Sequence, residues 1–396
     1  MIDNVKMEEI KRIERFAKAS FTKNDINNEI VRCQSHIQQL LKRISKVSEE
    51  FPAECPENDL YPLRENIGWT EGFWSGIIWL LFEETQKDYY KKLAYDIDQS
   101  FIERIQKQIV TDHHDLGFLF SLSTVAEYKL TGSALAKEAS ITAAETLLNR
   151  YWQKAGVIQA WGSANEPSQQ GRMIMDCCMN LPLLYWASEE TGDMKFSEAA
   201  SNHIKNAADY LVREDASTYH TFYMDVETGQ PKYGSTHQGF NDDSCWARGQ
   251  AWGVYGFALS YRYLKDPKYF ELSKKLANYF INRLPEDLIC YWDLDFVEGN
   301  QERDTSSMAI LVCGLLELLE YDLFNSQERQ LYSRIVSSIM LSLKQNYSTK
   351  AEADGFLTQS VYNMPKGNGV NTPSIWGDYY YLEALIRMKG HWLSLW

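Results

Sequence analysis

The sequence predicts an all-α (α/α)6 barrel, and three observations carry that expectation. Six segments open on polar, Gly or Trp residues and run on into stretches that are apolar on nearly every side. Six others, interleaved with them, carry one apolar stripe at the helical period and charges elsewhere. Few stretches read as strands. Helices buried all round, alternating with helices buried on one face, form a double ring with the first set inside.

The elements follow in chain order. A one-sided stripe covers residues 30–47, and the first all-round apolar segment is 69–85. Leu93, Ile97, Phe101, Ile105 and Ile109 then recur at every fourth residue, marking an outer helix before the second inner segment, 114–130. Stripes over 134–151, 196–212 and 272–284 separate inner segments 176–190, 246–264 and 304–321. Leu331, Ile335, Ile339 and Leu343 mark the last outer helix and 376–388 the last inner one. Residues 219–226 and 291–296 read as short hairpins within loops. The stretch 215–244, rich in Gly, Thr, Asp and His, exceeds the roughly 12–15 residues of an ordinary connection, which marks it as a place to expect a site. No Pro/Ser linker or like-charge block interrupts the chain, so one domain, 1–396, is expected.

Composition narrows the function. Forty Lys and Arg against fifty-four Asp and Glu leave a net charge of −14, which repels a phosphate backbone and argues against nucleic acid as a partner. The longest apolar run, 308–316, is far short of the roughly 20 residues a membrane span needs. The first residues lack the basic start and apolar stretch of a secretory signal. Seven cysteines without a C-x-x-C pair read as buried free thiols. A cytoplasmic protein is expected.

In such a barrel the inner helices begin at one mouth, so Trp69, His114, Asp115, Asp176, Arg248, Trp252 and Asp304 are expected to converge. Asp115 and Asp176 each open an apolar helix. One at a time they read as helix caps. Together, among Met, Phe and Leu, they read as carboxyls whose surroundings raise the pKa enough to donate a proton near neutrality. Asp112, His113, His114 and Asp115 are consecutive, about 100° apart around a helix, and do not face one ion; no metal is expected. Trp69, Trp74, Trp152, Trp161, Trp246, Trp252, Trp292 and Trp376 cluster near helix starts and suggest flat faces for sugar rings. Arg248 stands between Trp246 and Trp252, where its guanidinium needs an anionic partner that a sugar carboxylate would supply; His220 adds positive charge. No G-x-S-x-G, Walker loop or G-x-G-x-x-G occurs, so no nucleotide cofactor is expected.

Four strings carry a resemblance: His114-Asp115-Leu116-Gly117-Phe118; Met175-Asp176 with Asn180-Leu181-Pro182-Leu183-Leu184-Tyr185-Trp186-Ala187; Trp246-Ala247-Arg248-Gly249-Gln250-Ala251-Trp252; and Trp376-Gly377-Asp378-Tyr379 with Leu382-Glu383-Ala384-Leu385. In this order they resemble the unsaturated glucuronyl hydrolases of glycoside hydrolase family 88. The resemblance implies an (α/α)6 barrel acting on unsaturated uronyl di- and oligosaccharides left by polysaccharide lyases, such as those of hyaluronan, chondroitin or heparin-type chains. It implies hydration of the C4=C5 enol ether, after which the hemiketal opens and expels the remaining sugar. By residue matching, Asp176 is the general acid/base and Asp115 the second carboxylate, which holds ring hydroxyls and raises the pKa of Asp176 by repulsion. His114, His220, Gln238 and Arg248 are implied as polar contacts to the uronate, and Trp69, Trp161 and Trp252 as walls. In the segment 363–374, where some members carry Ser and Lys for sulfated substrates, this chain has Lys366 and Ser374; Lys366 is a candidate contact to an anionic group. Unsaturated rhamnogalacturonyl hydrolysis, sugar epimerisation and non-catalytic sugar binding are the competing readings.

Overall fold

The computed structural model describes residues 4–17, 20–390 and 392–396. Outer helices α1 (Lys23–Leu41), α3 (Asp88–Gln106), α6 (Ala134–Leu148), α8 (Met194–Asn206), α10 (Pro267–Asn282) and α12 (Ser326–Asn346) alternate with an inner set. The inner helices are α2 (Glu71–Thr85), α4 (Leu116–Phe120) continuing through the π-helical turn Ser121–Val125 into α5 (Ala126–Thr131), α7 (Leu181–Thr191), α9 (Ala247–Leu264), α11 (Thr305–Leu319) and α13 (Ile375–Lys389). Neighbouring inner helices pack side by side, and α13 returns to contact α2. The ring is closed: this is an (α/α)6 barrel.

Burial follows the sequence pattern. In α2 every residue from Glu71 to Leu81 is buried, whereas in α12 burial is confined to one stripe built around Tyr332, Ile335, Ile339 and Leu343. Among the described residues no helix is long and apolar enough to cross a membrane.

The two kinds of connection differ, and the difference builds the mouth. Four of the inner-to-outer turns are two residues long and open on a left-handed residue: Gln86, Gly132, Gly192 and Lys265. Outer-to-inner connections are long and carry the short antiparallel strands. They are β1 (Phe51–Pro52) with β2 (Leu63–Arg64), β3 (Tyr151–Trp152) with β4 (Val157–Ile158), a three-stranded sheet of β5 (Arg172–Ile174), β6 (Thr221–Met224) and β7 (Pro231–Ser235), and β8 (Ser360–Asn363) with β9 (Asn368–Thr372). In the three-stranded sheet Met173 faces Phe222 and Phe222 faces Gly234, so residues 219–226 pair across a long loop as well as within a hairpin.

Three sequence expectations are corrected in detail. The first outer helix ends at Leu41, not Val47, because the N–H groups of Ser45 and Lys46 donate to the Glu50 carboxylate and turn the chain. Ile109 lies beyond α3 between two left-handed residues, Gln108 and Val110, and is exposed. Residues 291–296 form no hairpin of their own; Tyr291 bridges to Arg303, and Asp293 to Trp246.

The far end of the barrel is sealed by a buried polar network. Glu317 binds Arg387 (2.8 Å) and Arg262, while Glu383 accepts from Tyr255 (2.5 Å) and from the indole of Trp396 (2.9 Å). Trp396 lies flat on Tyr380, with ring centroids 6.0 Å apart.

Candidate active site

At the mouth a cavity of about 440 Å³ is lined by Trp69, His114, Asp115, Trp161, Ile174, Asp176, His237, Gln238, Arg248, Tyr362, Asn363, Lys366 and Asn368. Each comes from the start of an inner helix or from the connection that precedes it, as the barrel geometry requires. A groove of about 710 Å³ at the opposite end, between α7, α8 and α9, is lined by Glu189 and Glu198 but by no Arg, Lys, His or Trp.

Asp176 sits on a 3-10 turn, Met175–Met179, fed by β5, rather than in a continuous helix from 176. Its Oδ2 is sealed and has no hydrogen-bond partner. Burial is the main reason its pKa rises to about 7; Arg248 works against the rise and the charge of Asp115 adds to it. Burial also pushes the Asp115 carboxyl up, but His114 and His113 beside it prevail and hold it below the ordinary value. His114 Nε2 is 3.2 Å from Asp115 Oδ1. Burial depresses the His114 pKa to about 4, so the ring is neutral at pH 7 and donates through Nε2–H, leaving its unpartnered Nδ1 as an acceptor. His113 accepts the Asp115 N–H on Nδ1 (3.2 Å) and donates from Nε2 to the Val110 carbonyl (3.0 Å). The cavity thus pairs an acid that keeps its proton until near neutral pH with an ionised neighbour.

The helix-cap reading of these two aspartates does not hold. Neither makes a side-chain cap hydrogen bond, whereas Asp304 caps α11 through Ser306 and Ser307 and is buried.

Arg248 has its anionic partner within the protein. Asp304 Oδ2 is 3.6 Å from its guanidinium, which also donates to the Val361 and Tyr362 carbonyls and to Gln238 Oε1 (2.6 Å). Trp246 and Trp376 flank it at 4.5 and 5.0 Å. Because Arg248 holds Gln238 Oε1, the amide Nε2–H groups are the ones left free for a ligand.

Of the nine residues expected to act on or contact the uronate, seven line the cavity. His220 and Trp252 lie behind its wall instead. His220 Nδ1 accepts the N–H groups of His237 (3.0 Å) and Gln238 (3.1 Å), and its ring packs 4.4 Å from Trp246. Trp252 is fully buried against Phe118 and Tyr380. Of the eight tryptophans, Trp69 and Trp161 face the cavity; Trp74 and Trp376 are core, the latter packed at a tilt behind Trp69 with ring centroids 5.5 Å apart. Ser374 caps α13 through the Gly377 N–H and does not line the cavity, whereas Lys366 does. Among the described residues no group of three or more His, Cys, Asp or Glu is arranged to hold a metal.

His237, Tyr362, Asn363 and Asn368 also line the site and were not singled out from sequence. Three of them belong to the β8–β9 hairpin, whose Gly367-Asn368-Gly369 turn, with both glycines at positive φ, was the available signal.

A sequence model of the family described as Glycosyl Hydrolase Family 88 matches residues 43–395. The chain is 44% identical, over the full length of both, to the unsaturated chondroitin disaccharide hydrolase of Streptococcus pneumoniae. The crystal structure of an unsaturated glucuronyl hydrolase from Streptococcus agalactiae superposes with a TM-score of 0.94 at 43% identity, covering 99% of each chain. A variant of that enzyme complexed with dGlcA-GalNAc6S gives a TM-score of 0.88 at 40% identity, again covering 99% of each chain. With the barrel and a mouth that pairs two carboxyls, these matches place the chain in glycosyl hydrolase family 88.

Proposed function

We propose that this glycoside hydrolase removes the C4=C5 unsaturated glucuronyl residue from the non-reducing end of lyase-generated glycosaminoglycan fragments, with Asp176 as general acid and base. The observation that carries the reading is the pairing in one cavity of Asp176, whose largely buried carboxyl has a pKa of about 7, with an ionised Asp115. The names and bound ligand of the relatives support the substrate class.

The chemistry follows from the charges. Protonated Asp176 gives its proton to C4, which places positive charge on C5 and the ring oxygen. The Asp176 carboxylate so formed takes a proton from a water that attacks C5, which restores the acid. The hemiketal opens to a ketone at C5, and the hemiacetal left at C1 expels the second sugar. One water is consumed and the double bond is lost. Asp115, held by His114, accepts from ring hydroxyls; Gln238, anchored by Arg248, donates to the uronate carboxylate; Trp69 and Trp161 flank the ring. Lys366, with His237 and Asn368 at the rim, meets an anionic group on the second sugar. A cytoplasmic place of action belongs to the same proposal and is supported by seven cysteines that are all free, six of them buried.

The test follows the ultraviolet absorbance of the double bond with unsaturated chondroitin, hyaluronan and pectin disaccharides. The expected result is loss of absorbance on the glycosaminoglycan substrates by the wild type, slowed by about 10²–10⁴-fold in Asp176→Asn. Turnover of the pectin fragments alone overturns the substrate class.

A further inference from the structure

We infer that Asn180 is a positioning residue that caps the helix of Asp115 from outside and so frees the Asp115 carboxylate for the active site. The inference rests on the roles proposed above for Asp115 and Asp176.

Asp115 occupies the N-cap position of α4, and an N-cap Asp ordinarily folds its side chain back onto the N–H two or three residues on. Here it does not. The Phe118 N–H donates instead to Asn180 Oδ1, at 2.7 Å, across the barrel wall. The other end of the same amide, Nδ2, donates to the Asp176 carbonyl at 3.2 Å. One fully buried side chain therefore ties the start of the Asp115 helix to the turn that carries Asp176.

The neighbouring residues are shaped to this joint. A Cβ on Gly117 would lie 2.3 Å from Asn180 Cα and 2.6 Å from its carbonyl oxygen, so only glycine lets the two segments close. Asn180 is itself the N-cap of α7 yet makes no cap bond to that helix. Its side chain is committed to the joint.

Without Asn180, the Phe118 N–H has no acceptor, and the nearest carboxylate able to supply one is Asp115. Once Asp115 caps its own helix it turns away from His114 and from Asp176. The groups acting on Asp176 are Asp115 from the start of α4 and Arg248 and the Trp252 indole from α9; His114, beside Asp115, is neutral at pH 7, and on its own turn Asp176 raises the thiols of Cys177 and Cys178, which stay uncharged. Withdrawing the Asp115 charge leaves Arg248 less opposed, so Asp176 loses its proton at lower pH.

The test compares kcat and kcat/KM against pH for the wild type, Asn180→Ala, Asn180→Asp and Asp176→Asn on an unsaturated disaccharide. In Asn180→Ala, kcat falls by about tenfold or more and the basic limb moves down by about half a pH unit. Asn180→Asp keeps an acceptor for the Phe118 N–H and adds a carboxylate near the Asp176 turn, so its limb moves up. A merely structural role lowers both rates, or the melting temperature, and moves neither limb. Unmoved limbs with an inactive Asp176→Asn overturn this inference alone. An Asp176→Asn that turns over freely overturns the acid assignment, and this inference with it. Should Asn180→Ala fail to fold, the direction of the Asn180→Asp limb decides.

Discussion

Asp176 shows how a catalytic side chain can work against the fold that holds it. Its pKa rises from the usual carboxylate value to about 7, mainly through burial, so the native state binds a proton that the unfolded chain has lost. The sign follows from linkage. Between pH 4 and 7 the native state binds more protons than the unfolded one, so stability falls as pH rises through that window and stays low above it. A neutral isostere escapes this cost. Asp176→Asn is therefore expected to be more stable than the wild type at pH 8, by roughly 1–4 kcal/mol, with little difference at pH 4. Urea titrations at the two pH values check this. A variant equally destabilised at both would mean that Asp176 is ionised in the fold. At this scale the sequence was legible where a residue sits in a motif, as for Asp115, Asp176 and Arg248. It was misleading where only neighbours decide. Nothing in the chain near Arg248 announces that Asp304, 56 positions on, neutralises it, or that His220 faces backbone N–H groups instead of the cavity.

Among elements, the period of apolar residues located all the helices of both rings, because burial on one face or on all faces is written directly in the spacing. Their ends were less legible. Ile44 stays buried after α1 has ended, so the stripe outlasts the helix. The strand β5 was not expected at all; its three residues gain their partner from β6, 49 positions away at Met173–Phe222. What sets the distance between inner helices is glycine. A Cβ at Gly72 in α2 would lie 2.1 Å from the Phe118 carbonyl oxygen and 2.6 Å from Leu119 Cα, both backbone. Gly72→Ala must therefore push α4 away from α2, at an expected cost of about 1–3 kcal/mol. It is also expected to reduce kcat, since Asp115 moves with α4. By contrast Gly132 has open space around the missing Cβ and only its left-handed backbone to satisfy. Gly132→Asn is expected to leave activity unchanged and stability nearly so. Denaturant midpoints and turnover of the two variants, compared side by side, check the contrast.

For the whole molecule, the barrel has an open end built from long connections and a closed end built from short turns over a buried charge network. Glu317 and Arg387 are both fully buried, and the two arginines beside Glu317 hold its pKa at about 2 although burial alone would raise it. The group is depressed, so its contribution is present above the unfolded carboxylate pKa and is lost as pH falls towards 2. Removing one partner leaves a buried charge uncompensated. Arg387→Ala is expected to lose about 3–5 kcal/mol at pH 7, with the loss shrinking below pH 4 as Glu317 protonates in the variant. Equal losses at both pH values would contradict the assignment. This division of labour explains why function gathers at one end: short turns bring no loop residues over the closed end, while long connections deliver Trp69, Asp176, Gln238 and Lys366 to a single cavity.

The central claim is that proton transfer from Asp176 to the double bond initiates cleavage. It is tested most directly by following, in one reaction, the double-bond absorbance and the release of the second sugar, for the wild type and Asp176→Asn between pH 5 and 9. The account predicts that the double bond is never lost more slowly than the sugar is released, that the wild-type rate falls above a pH near 7, and that Asp176→Asn slows both signals together and to the same extent. Sugar release that precedes loss of the double bond, or a variant that retains either signal at the wild-type rate, would contradict it.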